Sequence, residues 1–121
     1  LPGDIPLVAP SDIDDLLGIE ASAPFGVIVP SVDGAGTNAL VRCPPDAFCS
    51  RFGPDSFRRH QQEADRTGTA LHEVLNDRIA LDIDRPYDLA SLLERASVGR
   101  TVRLLQCLQV GRRLRVKNGP A

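Results

Sequence analysis

Methionine is absent from this 121-residue sequence, and no apolar run approaches the roughly 20 residues needed to cross a bilayer. The first residues also lack the basic-then-apolar layout of a secretory signal. We therefore expect a cytoplasmic protein that does not bind a membrane. Because position 1 is leucine, we also expect that translation starts upstream and that preceding residues belonged to the same sheet.

Cysteine and histidine patterns typical of metal or disulfide sites are missing as well. The three cysteines, Cys43, Cys49 and Cys107, form an odd set without a C-x-x-C pair, which argues against a disulfide framework and a zinc ribbon. His60 and His72 occur without an H-E-x-x-H motif or a cysteine at ligand spacing. We therefore expect free thiols and no zinc site.

Acidic residues are missing from the last stretch of the chain. From Arg100 onward there are six basic residues and no acid, although the formal net charge of the whole sequence is -2. A basic tail can bind nucleic acid or an acidic partner. No aromatic residue is interleaved among these cations to stack on bases, so we interpret the tail as a solvated helix face and expect no nucleic-acid partner.

The residues that are present have the balance of one soluble globular domain, with 42% hydrophobic and 25% charged residues. Short apolar runs and Pro or Gly punctuation predict alternating strands and helices. The predicted strands are 25–29, 39–41, 71–75 and 79–83. The predicted helices are Ser11 to about Gly18, 57 to about 66, 86 to about 96, and 102 to about 110. This order favours an α/β sheet covered on both faces, with ligands beyond the carboxyl ends of its strands.

Two aspartates, Asp82 and Asp84, end the last predicted strand. Strand alternation would put both carboxylates on one face, where like charges must be hydrated, protonated or neutralised by a cation. Carboxylate oxygens suit Mg²⁺ or Mn²⁺. The equally weighted alternative is that Asp84 caps the helix begun by Arg85-Pro86 while Asp82 is solvated. Asp4, in a turn at the expected end of another strand, would complete a three-carboxylate cluster, although an ordinary turn aspartate is its simpler explanation.

Two loops offer possible anion sites. The Gly-rich loop Asp33–Asn38 could present consecutive backbone N–H groups, with the Thr37 hydroxyl beside them. The segment that contains Gly53 and Ser56 opens a helix, whose first N–H groups favour anions. An ordinary hairpin turn and a plain N-cap serine are the alternatives for these two loops.

Four blocks occur in a specific order: LPGDIPL at 1–7, GAGTNAL at 34–40 followed by Pro44-Pro45-Asp46, RFGPDSFRRH at 51–60, and ALDIDRPYDL at 80–89. In this order and spacing the sequence resembles the C-terminal half of the 2-phospho-L-lactate / phosphoenolpyruvate guanylyltransferase family. The resemblance covers residues 1 to about 105.

The resemblance implies a Rossmann-like nucleotidyltransferase fold, with a mixed sheet and helices on both faces. Residues 1–121 would be the C-terminal, acceptor-binding half of a single domain whose N-terminal half is missing. The implied reaction joins GMP from GTP to a three-carbon phospho-acid and releases pyrophosphate, in the biosynthesis of the deazaflavin coenzyme F-420. By motif, Asp4, Asp82 and Asp84 would hold Mg²⁺ against the acceptor's phosphate, and Thr37, Gly53 and Ser56 would receive its carboxylate. No catalytic residue distinct from the metal ligands is implied.

The missing half would carry the triphosphate loop and the guanine contacts, so the fragment alone is expected to be inactive. Two other hypotheses about the function stay open. One is a non-catalytic remnant that binds a phospho-acid with Mg²⁺, and the other is the same fold with a different acceptor, such as a sugar phosphate or molybdopterin. The sequence selects neither the acceptor nor an oligomeric state.

Overall fold

The computed structural model describes residues 1–95 and 99–117, with side chains through residue 114. The chain divides into two compact units, Leu1–Leu81 and Asp82–Ala121. Each unit is built from short elements, and the first contains the sheet. The expectation that residues 1–121 are half of one nucleotidyltransferase domain stays a prediction.

The first unit is organised by a three-stranded mixed sheet. Its strands are β1 (Phe25–Pro30), β2 (Thr37–Cys43) and β3 (Ala70–Glu73), in the order β2-β1-β3. β1 pairs antiparallel with β2 and parallel with β3. The apolar run of β1 explains its central place, because a strand covered on both faces is apolar at successive positions. The mixed α/β architecture confirms the predicted fold class.

Three helices accompany this sheet: α1 (Pro10–Leu17), α2 (Ser56–Arg66) and the single turn α3 (Asp77–Ala80). Val27 and Val29 of β1 form one core cluster with Leu16 of α1 and Ile79 of α3. Ile28 points to the opposite face by strand alternation and is only 1% exposed. Both faces of the central strand are therefore covered.

The fully buried carboxylate of Asp12 joins α1 to α3. It accepts hydrogen bonds from Arg78, from the Asn76 amide at 3.0 Å and from the Ala9 backbone N–H at 2.8 Å. The Arg78 guanidinium lowers the pKa of Asp12 well below its ordinary value, although burial opposes this effect. A charged carboxylate can stay buried here because every side of it meets a donor.

The second unit contains α4 (Pro86–Arg95), α5 (Arg100–Cys107) and α6 (Val110–Lys117). Leu92 of α4 and Val102 of α5 are buried, and α4 contacts both other helices. Asp88 accepts from the backbone N–H groups of Asp84 and Arg85, which completes the first turn of α4. Among the residues that the structure describes, no helix has both the length and the apolarity to cross a membrane.

Several sequence predictions need correction. The strand expected at 79–83 is wrong: Asn76 caps the backbone N–H groups of Arg78 and Ile79 and starts α3, and residues 81–84 are irregular. The turn expected at Gly3-Asp4 is present, Leu1 and Pro2 are not in a strand, and a strand before residue 1 stays a prediction. The helix expected over 102–110 is two helices, interrupted near Gln109, which has a positive φ of 54°. The predicted end of α4 at Ala96 lies outside the described residues.

Candidate acceptor-binding site

Three buried polar side chains meet between the start of β2 and the helix α2. The Ser56 hydroxyl donates to the Thr37 hydroxyl oxygen at 3.0 Å, and the His60 Nδ1 atom lies 2.9 Å from the same oxygen. Thr37, Ser56 and His60 are 4%, 2% and 0% exposed. A cluster of this kind is stable only when its members satisfy one another, since an unpaired buried polar group is costly.

Local backbone geometry brings these side chains together. Thr37 is the first residue of β2, beside a register shift between Val29 and Pro30, and such irregularities re-aim side chains. The buried positions of α2 are Ser56, His60 and Ala64, which share one helix face because they are four residues apart. The Phe57 backbone N–H donates to the Ala35 carbonyl at 3.0 Å and ties the helix start to the hairpin turn.

His60 also contacts the loop that precedes α2. The backbone N–H of Arg51 donates to the His60 Nε2 atom at 2.7 Å. The Phe52 ring packs edge-on against the imidazole, with 4.9 Å between the ring centroids. Because Nε2 accepts this hydrogen bond, the ring proton of the neutral imidazole must be on Nδ1, which donates to Thr37.

The environment of His60 favours the uncharged imidazole. Burial lowers the pKa of His60 below its ordinary value of 6.5, and the nearby cations Arg42 and Arg59 lower it further. The Ser56 backbone raises the pKa of His60 and so offsets part of this effect. The ring is therefore neutral around pH 7 and keeps one donor and one acceptor nitrogen.

Gly53 lies in the loop between Arg51 and α2. Its φ of +112° is a conformation that side-chain-bearing residues rarely adopt. A Cβ at this position would lie 3.8 Å from the Arg59 Nη1 atom, so an arginine reaches the surface beside the glycine. Two other arginines of this region are paired, Arg51 with Glu63 at 3.3 Å and Arg58 with Asp55 at 3.6 Å.

The predicted N-cap role of Ser56 is wrong. Asp55 occupies the N-cap position in a left-handed conformation, and Ser56 is the first helical residue. The Ser56 hydroxyl is committed to Thr37 and does not cap the helix. The buried serine is therefore explained by the contact with β2, a contact that the local sequence does not reveal.

At Asp33–Asn38 the structure confirms the ordinary turn between two strands and not the alternative of an anion nest. The Asp33 carboxylate accepts from the Ala35 backbone N–H and the Ser31 hydroxyl, and the Ser31 hydroxyl oxygen accepts from the Gly36 N–H. The turn satisfies its own donors. What it contributes is the placement of Thr37 at the start of β2.

The predicted metal ligands belong to different units. Asp82 and Asp84 each offer a carboxylate oxygen, and these two oxygens lie within 4.8 Å of each other. Asp82 is partly buried and Asp84 is exposed. Asp4 is exposed in a turn of the first unit. The pair is close although the strand predicted to align it is absent, and the participation of Asp4 stays a prediction.

His60 is the residue of this site that sequence reasoning missed. Its spacing excluded a zinc motif, and no role was assigned to it. A signal was present: Ser56 and His60 lie four apart, followed by Ala64, on a helix whose other positions are mostly polar. That spacing indicates a polar stripe that faces the sheet.

Comparison with known proteins agrees with the resemblance in the sequence. Residues 1–119 match the family described as "Guanylyl transferase CofC like". The chain is 43% identical over 95 residues to a phosphoenolpyruvate guanylyltransferase of Conexibacter woesei. The matched segment covers 78% of this chain and 43% of that protein. It is 42% identical over 92 residues to the phosphoenolpyruvate guanylyltransferase of Rubrobacter xylanophilus, with 76% of this chain and 45% of that protein covered.

Another relative is named after 2-phospho-L-lactate instead of phosphoenolpyruvate. The 2-phospho-L-lactate guanylyltransferase of Haloarcula marismortui is 40% identical over 90 residues, covering 74% of this chain and 41% of that protein. The chain spans less than half the length of these relatives.

Proposed function

The chain belongs to the CofC-like guanylyl transferase family, and from this premise we propose that it is the acceptor-binding part of a guanylyltransferase. The proposed reaction joins GMP from GTP to phosphoenolpyruvate or 2-phospho-L-lactate and releases pyrophosphate, in the cytoplasm and on the route to coenzyme F-420. The observation that carries the proposal is the buried Thr37–Ser56–His60 cluster at the start of α2. It supports a preorganised binding site at the position where the resemblance to the family places the acceptor's carboxylate.

We propose that Thr37, Gly53 and Ser56 receive that carboxylate, Ser56 through its backbone N–H because its hydroxyl proton is donated to Thr37. Helix α2 is 11 residues long, and the dipole at its N-terminus favours an anion there, although the Phe57 N–H is already paired with the Ala35 carbonyl. The glycine allows the backbone to approach a ligand closely. Arg59 adds a positive charge beside the glycine. These features together suit a small carboxylate better than a neutral group.

We propose that Asp4, Asp82 and Asp84 hold Mg²⁺, or Mn²⁺ in its place. The proximity of the Asp82 and Asp84 oxygens supports this, because two carboxylates within 4.8 Å fit the oxygen donor set of a small divalent cation. A bound Mg²⁺ would compensate the charge of the phosphate groups. The remaining ligands would be substrate oxygens, which is how such ions usually bind in phosphate-handling enzymes.

The chemistry needs little from side chains. An oxygen of the acceptor's phosphate attacks the α-phosphorus of GTP in line, and a new P–O–P bond forms. The bond from the α-phosphorus to the bridging oxygen of the β-phosphate breaks, and pyrophosphate leaves with the electron pair. Since the acceptor's phosphate is already ionised at neutral pH, no general base is required. Positioning of the acceptor and compensation of charge supply the catalysis.

The test is guanylyl transfer by the protein expressed from its complete reading frame. Phosphoenolpyruvate, 2-phospho-L-lactate and 3-phospho-D-glycerate are offered separately with GTP and Mg²⁺, and the product and pyrophosphate are measured. We expect a guanylylated product with at least one acceptor. No product from any of them contradicts the proposal, and Mg²⁺-dependent binding of phosphoenolpyruvate without transfer would indicate a non-catalytic protein instead.

The metal ligands are tested in the same assay by three variants. Asp82→Asn and Asp4→Asn should raise the Mg²⁺ concentration needed for half-maximal transfer, while Asp14→Asn, an exposed acid on α1, should not. If Asp4→Asn behaves like Asp14→Asn, Asp4 is not a ligand. If Asp82→Asn does so, the acid pair has only a structural role.

A further inference from the structure

His60 connects all three segments that the proposed function assigns to the acceptor. It lies one helical turn after Ser56 on α2, its Nδ1 atom faces Thr37, and its Nε2 atom accepts from the backbone of Arg51, two residues before Gly53. It is fully buried, and Phe52 packs against its ring. A histidine held from both nitrogens has one orientation and one tautomer.

This tautomer decides what the Thr37 hydroxyl can do. A hydroxyl group has one proton to donate and can accept two hydrogen bonds. The Thr37 oxygen accepts from the Ser56 hydroxyl, and the protonated Nδ1 of His60 donates to it as well. Both acceptor positions of Thr37 are then used, and its own proton is left to be donated. A hydroxyl in this state matches a carboxylate, which only accepts hydrogen bonds at neutral pH.

We propose that His60 is a positioning residue of the acceptor site, which holds the Thr37 hydroxyl as a hydrogen-bond donor toward the acceptor's carboxylate. This inference rests on the proposed function and adds to it a residue outside the predicted site. His60 acts through Thr37 and does not touch the acceptor. Its effect is therefore expected in the affinity for the acceptor and not in the affinity for GTP.

Two amide variants separate the two ring nitrogens. In His60→Asn the amide nitrogen can take the place of Nδ1 and donate to Thr37, while the acceptor for the Arg51 N–H is lost. In His60→Gln the amide oxygen can take the place of Nε2 and accept from Arg51, while the donor to Thr37 is lost. Each variant thus removes one of the two hydrogen bonds of His60, and both replace the imidazole with an amide of similar polarity.

Steady-state guanylyl transfer is measured for both variants in the protein expressed from its complete reading frame. His60→Gln should raise the acceptor KM about tenfold, the scale of one hydrogen bond to a charged group. His60→Asn should change it less than about threefold, and the GTP KM should stay within about twofold in both. Equal acceptor KM values for His60→Gln and the wild type, or equal increases in the two variants, would overturn the inference.

A double-mutant comparison tests whether His60 acts through Thr37. Thr37→Val removes the hydroxyl, so adding His60→Gln to it should raise the acceptor KM by less than about twofold further. Full additivity of the two changes would show that His60 acts by another route. A histidine with a purely structural role would lower the melting temperature without this dependence on Thr37.

If either amide variant fails to fold, the NMR resonances of the His60 ring nitrogens in the wild-type protein test the inference by showing which nitrogen is protonated. A protonated Nδ1 and an unprotonated Nε2 at pH 7.5 support the inference, and the opposite tautomer overturns it. A wild-type enzyme without transfer to any acceptor would instead overturn the proposed function and this inference together. An active wild type with unresponsive His60 variants would overturn the inference alone.

Discussion

Removal of the Asp12 charge should destabilise the first unit more than removal of the charge of an exposed acid would. Asp12→Asn keeps the size of the side chain but turns one oxygen that accepts hydrogen bonds into an amide that donates them. The amide would face the donors of Arg78 and Asn76. Breaking a buried ion pair from one side typically costs 3–5 kcal/mol. Arg78 is 55% exposed and regains water, so we expect a loss of about 3 kcal/mol, near the lower limit.

The assay is urea unfolding followed by circular dichroism, with Asp14→Asn as the control on the same helix. The dependence on pH provides a second check. Because the folded-state pKa of Asp12 lies below its ordinary value of 3.8, its contribution is complete above that value and is lost as the pH falls below it. The difference in the free energy of unfolding between the wild type and Asp12→Asn should therefore be constant from pH 7 to about 5 and shrink toward pH 3. A gap below about 1 kcal/mol at pH 7, or one that persists unchanged at pH 3, would refute the reasoning.

Three other positions give sharp expectations. Gly26→Ala should lower the free energy of unfolding by about 1–3 kcal/mol, because its Cβ would lie 2.9 Å from the Phe48 ring; an unchanged urea midpoint would contradict this. Asp82→Asn should weaken Mg²⁺-dependent binding of phosphoenolpyruvate at least about tenfold in calorimetry, and unchanged affinity would leave the acid pair a structural role. Lowering the pH from 7 to 5.5 should destabilise the wild type more than His60→Asn, because the unfolded chain binds a proton near pH 6.5 that the buried imidazole resists. Parallel pH dependence of the two proteins would show that His60 is not held neutral.

Local sequence patterns correctly predicted those elements whose conformation is determined by residues close to them in the sequence. The apolar run at Phe25–Val29 is the central strand, the Gly-rich loop after it is a hairpin turn, and Pro86 begins a helix. The prediction failed at 79–83, where alternation is compatible with a strand but the Asn76 side chain caps a helical turn. Such a cap competes with strand pairing, and here it buries Ile79 in the core. Periodicity alone could not decide between these two outcomes.

Motif resemblance pointed by itself to the family, to the three aspartates and to Thr37, Gly53 and Ser56 as candidates. What it could not supply is the arrangement around them. The Thr37–His60 contact joins residues 23 positions apart, and the Asp12–Arg78 pair joins residues 66 apart. The tautomer of His60 depends on an N–H of a loop that only folding brings to the ring. Sequence spacing determines which side chains share a helix face or a strand, whereas hydrogen bonds between distant segments exist only after the sheet and α2 have packed, and these decided the state of the site.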